Sequence, residues 1–311
     1  MAARLGAAGR SGGSRQRTML EQQLVNALSL GCVYALFALG FTLVFGVLGV
    51  INLSHGAIFM IGAYAALEVV TRLSFPLWAS LVAAFFIAGG FGLAIDVLVL
   101  KPLRQRNAPH LIPMIATIGL AIFFNSASQG VFGAENLRFP SDLVPDQQLH
   151  FAGVQISVLE VAIIVLSFAL MAALLLVMRK TQLGRALRAI AESPKAAMLL
   201  GINVEGLFYL TSFTAAALGG ISGVLIALYS NAVFPLMGQP MLHKGIAVII
   251  LGGMGDIRGA LIGGLFLGFA EVMSVAYIGS TMRDAVAFGL LFIVLLLRPQ
   301  GMFGKVLERK A

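Results

Sequence analysis

The chain has 311 residues, 59% of them hydrophobic and only 11% charged, with a formal net charge of +8. A soluble domain carries about 25% charged residues, so a soluble globular fold is excluded. The cations gather in short segments between apolar runs, the signature of cytoplasmic loops, and this accounts for the charge without a nucleic-acid partner.

Residues 1–20 are rich in Gly, Ser and Arg and are expected to form a disordered tail, with Met19 a second candidate start. A membrane domain is expected over 21–304 and a cytoplasmic tail over 305–311. Apolar segments fall at roughly 22–44, 46–70, 77–100, 110–132, 157–178, 207–229, 244–277 and 283–298. Most are near the ~20 residues needed to cross a hydrocarbon core of about 30 Å, and the one at 244–277 is longer. The runs are continuous rather than alternating, so helices and not a barrel satisfy the backbone in lipid. The fold class is all-α, a polytopic membrane bundle of eight or nine segments with interrupted helices.

The first segment holds Cys32, the only cysteine, which excludes a disulfide framework. The second opens on Asn52-Leu53-Ser54-His55-Gly56. Polar groups in lipid are costly unless paired or facing water. Asn52, Ser54 and His55 therefore either line a solute path or join helices by hydrogen bonds. After the third segment, Lys101, Arg104 and Arg106 mark a cytoplasmic loop, and Asp96 is expected to pair with the first two. The stretch 133–157 is acidic (Glu135, Asp142, Asp146) and belongs outside. Three spans before Lys101 put the N-terminus outside, whereas its arginines argue for the cytoplasm.

Between the fifth and sixth segments lies a polar, basic stretch, 179–206. Leu183, Leu187 and Ile190 recur at helical spacing, with Arg185, Arg188, Glu192 and Lys195 around the remaining face. Arg188 and Glu192, four apart, form a candidate pair. Ser193 can cap a second helix with Pro194 at its first position, and Gly201 suits a left-handed stop. Two short helices meeting at a sharp corner form a compact knob, better suited to docking a cytosolic protein than to lying on headgroups.

The seventh segment is interrupted by Gly252-Gly253-Met254-Gly255-Asp256, so it is either two spans or a broken one. Broken helices line solute paths in transporters, which makes Gly252, Gly253 and Asp256 candidates beside the 52–56 motif. His55-Gly56-Ala57-Ile58 and Arg258-Gly259-Ala260-Leu261 share a short pattern that hints at an internal repeat. Gly259, Gly263, Gly264 and Gly268 form a small-residue face for helix packing. No metal-ligand spacing, catalytic constellation or embedded proton relay stands out; Glu68, Glu160 and Glu271 sit towards segment ends.

Three stretches together carry a family resemblance. They are Gly46 to Gly56 with Met60-Ile61-Gly62-Ala63-Tyr64, then Gly184-Arg185-Ala186-Leu187-Arg188-Ala189 with Leu200-Gly201-Ile202-Asn203, then Leu251 to Ala260 with Gly263-Gly264. With the closing Arg298-Pro299-Gln300-Gly301-Met302-Phe303-Gly304, they resemble the permeases of branched-chain amino acid ABC importers. The likeness covers nearly all of the chain after residue 20. Ala57 stands where that family often carries an acidic residue, which leaves the solute open.

The resemblance implies a subunit of an importer in the bacterial inner membrane, working by alternating access. Its partners would be a second permease, two cytosolic ATPases carrying ATP and Mg, and a periplasmic solute-binding protein. The knob would then be the coupling loop. The chain has no G-x-x-x-x-G-K-[ST] loop and so no phosphate-loop site of its own. A stand-alone secondary transporter or channel is the alternative, and an intramembrane enzyme a weaker one.

Overall fold

The computed structural model describes residues 3–109, 111–140, 147–151, 154–298 and 300–303; the 305–311 tail lies outside them. Twelve helices follow one another. They are α1 (Ala3–Leu48), α2 (His55–Leu73), α3 (Leu77–Ile95), α4 (Lys101–Gln105), α5 (Leu111–Phe132), α6 (Val158–Lys180), α7 (Gln182–Glu192), α8 (Pro194–Leu199), α9 (Val204–Ser230), α10 (Gly238–Gly252), α11 (Ile257–Tyr277) and α12 (Arg283–Leu297). A π-helical turn, Asp96–Leu100, joins α3 to α4, and an antiparallel hairpin, β1 (Gln148–Phe151) with β2 (Val154–Ser157), precedes α6. Eight stretches are long and apolar enough to span a membrane. The ninth, α10, has 15 residues, about 22 Å at 1.5 Å per residue, and is too short to cross alone.

Local chemistry sets the helix ends. Ser157 and Glu160 form a reciprocal capping box at the start of α6, with Ser157 Oγ accepting from Leu159 N–H at 3.2 Å and Glu160 Oε2 from Ser157 N–H at 3.1 Å. Asn203 accepts from Gly206 N–H at 3.0 Å to open α9. At the other end of α10, Met302 and Phe303 donate their N–H groups to the Leu251 and Gly252 carbonyls at 2.8 and 3.1 Å, satisfying acceptors a helix end leaves open.

The two faces of the bundle separate by charge. Gln22 near the start of the α1 span accepts from Gln155 N–H in the hairpin, so this end of α1 shares a side with the acidic 133–157 connection. Lys101 to Arg106, the α7–α8 corner and the segment after α12 share the opposite side. That side carries the basic segments, which the positive-inside rule favours on a cytoplasmic face, and the span Met19–Leu48 begins on the other side. Helical backbone from Ala3 runs into the span that begins at Met19.

The core is α1, α2, α9, α10 and α11, whereas α5, α6 and α12 turn apolar residues such as Ile122, Val165 and Leu296 outward, as lipid-facing helices do. Small residues let the core helices touch. Gly264 lies against Ala35 and Gly268 against Gly31, seating α11 on α1; Gly62 meets Gly220 and Gly223 meets the Phe59 carbonyl, seating α2 on α9.

Two helices start inside the bundle rather than at its surface. α1 ends at Leu48, and residues 49–54 double back so that α2 begins at His55, against Gly40 of α1 and Gly219 of α9. α9 likewise ends at Ser230, and 231–237 double back to begin α10 at Gly238. The two starts meet: a Cβ on either Gly56 or Gly238 would strike the other's carbonyl oxygen. The pairs α1–α2 and α9–α10 thus run as inverted copies, an arrangement common in transporters. The repeat suggested by sequence was in the wrong register. Gly259 sits in the first turn of α11, where it contacts Gly252, and the counterpart of Gly56 is Gly238.

Candidate functional site

The α7–α8 corner is built as the residue pattern required. Thr181 Oγ1 accepts from Gly184 N–H at 3.1 Å to start α7, and Ser193 Oγ accepts from Ala196 N–H at 3.3 Å to start α8, with Pro194 at its first position. Gly201 takes φ +80 to end it. Leu187 and Ile190 are buried, while Arg185, Glu192 and Lys195 are exposed.

Two contacts brace the corner to the membrane helix before it. Gly184 lies so close to the Met178 and Val177 carbonyls that any Cβ would collide with them. Arg188 does not pair with Glu192 as expected; its guanidinium donates to the Met178 carbonyl at the end of α6. Cations at a helix C-terminus meet the negative end of its dipole, so Arg188 is part of the brace. The outermost surface is apolar: Met198, Leu199 and Leu200 project into solvent, Leu199 with 90% of its surface exposed. Sequence reasoning missed this tip, because three apolar residues carry no contrast in so apolar a chain.

Between the corner and the bundle is a cavity of about 340 Å³, bordered by Thr42 and Gly46 of α1, Arg188 of α7, and Asp256 and Arg258. Asp256 is the N-cap of α11, its Oδ1 accepting from Arg258 and Gly259 N–H at 2.7 and 3.0 Å. Gly253 turns the chain at φ +100, a conformation side chains rarely adopt, and Gly252 packs on Gly259. Of the three, Asp256 borders the cavity; Gly252 and Gly253 shape the turn.

The 52–56 motif lies elsewhere, inside the bundle. Asn52 Oδ1 accepts from Ser54 N–H at 3.1 Å and Ser54 Oγ at 2.6 Å, so its bonds are local. The interhelical bond here runs from Leu53 N–H to Thr117 Oγ1 at 3.1 Å. His55 is fully buried between Phe37 and Phe41, with ring centroids 4.7 and 5.5 Å away, and neither ring nitrogen has a hydrogen-bond partner. Asn52 thus bonds within its own turn, and His55 is held against α1 by ring packing. Near the cytoplasmic end, Asp96 bonds Arg104 at 3.2 Å as expected, but Lys101 turns to the Tyr209 hydroxyl instead, at 2.5 Å. Arg104 also reaches Glu205 at 3.3 Å, tying the 101–106 loop to α9 just beyond the corner.

The sequence reading also underrated Glu271. It is fully buried, with Lys244 Nζ at 2.8 Å and Arg283 Nε at 3.2 Å from Oε1, and the Tyr34 hydroxyl donating to Oε2 at 2.9 Å. These residues border an outward-opening cavity of about 460 Å³. Four separate helices supply them, so no local spacing announced the cluster.

Eight membrane-length helices, two reversed helix pairs meeting inside the bundle and a braced corner on its basic side fit a membrane transport component. Residues 23–295 match the family described as branched-chain amino acid transport system, permease component, and the chain belongs to that family. It is similar to the high-affinity branched-chain amino acid transport system permease protein BraD of Pseudomonas aeruginosa, 38% identical over 91% of this chain and 95% of that protein. The corresponding permease protein LivH of Escherichia coli is 35% identical over 94% of this chain and 98% of its own length. LivM of Escherichia coli, also a permease protein of that system, is 25% identical over 91% of this chain and 71% of its own.

Proposed function

We propose that this chain is one of two permease subunits of an ATP-driven importer in a bacterial inner membrane, moving branched-chain or related amino acids by alternating access. Two separate cytosolic ATPases bind ATP and Mg and dock on the α7–α8 corner, and an external binding protein delivers the solute. One observation carries the reading: an exposed apolar tip, Met198 to Leu200, on a corner braced to α6 by Gly184 and Arg188. A rigid lever with a sticky end transmits motion only if something grips it. Arg185, Glu192 and Lys195 are exposed on the same two helices and supply polar groups beside an apolar centre, the usual plan of a protein interface.

Within the bundle, Asn52, Ser54 and His55 sit where the two inverted helix starts meet, and Asp256 borders the inner cavity beside the corner. We assign the moving gate to this region, with the reversed breaks at 49–54 and 231–237 as hinges. A conformational change needs contacts that differ between two states, and the unpaired imidazole of His55 is free to gain a partner in the other state.

The test is uptake by proteoliposomes. Radiolabelled leucine should enter only when the partner permease, the ATPases, the binding protein and ATP are all present. The buried Glu271 cluster keeps a secondary-transporter reading worth one arm of the experiment. Uptake by the chain alone, driven by a proton or sodium gradient, would replace the proposal with that reading.

A further inference from the structure

The outward-opening cavity holds chemistry that the transport reading does not use. Its volume, about 460 Å³, falls within the range of small-ligand pockets. One wall is apolar, with Leu30, Phe59, Ile226, Met237, Met241 and Val272. At its charged end stand Lys244 and Arg283, two cations against the single carboxylate of Glu271. Asp284, next along α12, is exposed and does not border the cavity.

Donors and acceptors at this end are unequal. Both oxygens of Glu271 are occupied, Oε1 by Lys244 and Arg283, Oε2 by Tyr34. The Tyr34 hydroxyl also accepts from Lys244 at 2.8 Å. An ammonium carries three N–H donors and a guanidinium five. Two of the lysine's donors are used, and of the arginine only Nε is paired. The open positions on Lys244 and Arg283 are positive and donor-only, and Arg283, half exposed, borders the cavity together with the neutral polar side chains of Gln23, Asn26, Tyr229 and Ser230. A group with two acceptor oxygens and one negative charge fits; an ammonium finds no free carboxylate there.

We propose that this cavity is a binding station for the carboxylate of a small aliphatic acid or amino acid, held by Lys244 and Arg283 with its hydrocarbon tail against the apolar wall. Glu271 and Tyr34 are positioning residues: they fix the Lys244 ammonium at the cavity floor and hold the buried cation. The inference goes beyond the proposed function, because it places the solute inside one subunit and stands whether or not ATP drives the chain.

Equilibrium binding to the full chain in nanodiscs tests it, with no ATPase, binding protein or nucleotide. Three radiolabelled or competing probes separate the chemistry: leucine, 4-methylpentanoate (carboxylate without amine) and 3-methylbutylamine (amine without carboxylate). Leucine and 4-methylpentanoate are expected to bind and compete with each other, and the amine not to compete. Arg283→Gln is expected to weaken both by about tenfold or more, as loss of a charge-assisted contact does, and Arg283→Lys to retain most of the binding. Arg283 is half exposed at a helix start, so these variants leave the core intact, and a melting curve in detergent verifies it. Lys244→Gln provides the second variant.

No carboxylate binding by the wild-type chain, equal competition by the amine, or unchanged binding in both Arg283→Gln and Lys244→Gln would each overturn the assignment. ATP-driven uptake is measured separately, so failure here leaves the importer reading standing and its failure leaves this one.

Discussion

Replacing Leu199 by Ser isolates the docking role of the corner. Leu199 has 90% of its surface in solvent, so the substitution removes no internal contact and stability is expected to move by less than about 0.5 kcal/mol. If the tip is gripped by a partner, the side chain goes from water to an apolar pocket, worth about 1.5–3 kcal/mol. At 1.4 kcal/mol per factor of ten, the loss corresponds to roughly a 10- to 100-fold weaker ATPase association. Adding Leu200→Ser extends the loss, less than additively because the two are neighbours. The assay is titration of the nanodisc-held permease pair with labelled ATPase, read by fluorescence anisotropy. Leu176→Ser, on the outward face of α6 with 60% of its surface exposed, controls for a general effect of removing a leucine. Unchanged ATPase affinity in the Leu199→Ser, Leu200→Ser double variant would refute the reasoning.

Other consequences are independent of docking. Gly223→Ala forces a methyl group into the Phe59 carbonyl and is expected to cost about 1–3 kcal/mol by overpacking, lowering the melting temperature in detergent, whereas Gly119→Ala, with open space around it, is expected to be neutral or slightly stabilising. Glu271→Gln leaves Lys244 and Arg283 without their buried counter-charge and is expected to cost about 3–5 kcal/mol, seen as lost yield or a sharply lowered melting temperature. Asp256→Ala removes the α11 cap at a cost of about 0.5–2 kcal/mol. His55→Leu breaks no hydrogen bond and is expected to fold and melt like wild type while losing uptake; full uptake by a well-folded variant would remove His55 from the gate.

How much of this was readable in advance depended on whether the signal was local. The spans were, because lipid demands long apolar runs and short basic loops. So was the corner: Ser193, Pro194 and Gly201 act on their own neighbours in the chain, and such caps follow from residue type alone. Arg188 was misassigned because its partner is a backbone carbonyl ten residues back, across a turn, which competes successfully with an exposed Glu192. The start of α10 at Gly238 was missed, since an apolar run beginning near Lys244 looks like any other span. The pairing of Gly56 with Gly238 arises from an inverted geometry that leaves little trace in the order of residues. The Glu271 cluster was hidden for a related reason: Tyr34, Lys244, Glu271 and Arg283 lie on different helices, and each alone resembles an interfacial polar residue.

The central claim is that the corner faces the cytosol and is held there by a separate engine. Cys32 is the only cysteine and is fully buried, so a Leu199→Cys variant carries a single reactive thiol. A membrane-impermeant maleimide is predicted to label it in inside-out vesicles and not in spheroplasts, and added ATPase subunits are predicted to protect it. Labelling from the outer face, or labelling that ATPases leave unchanged, would contradict the account.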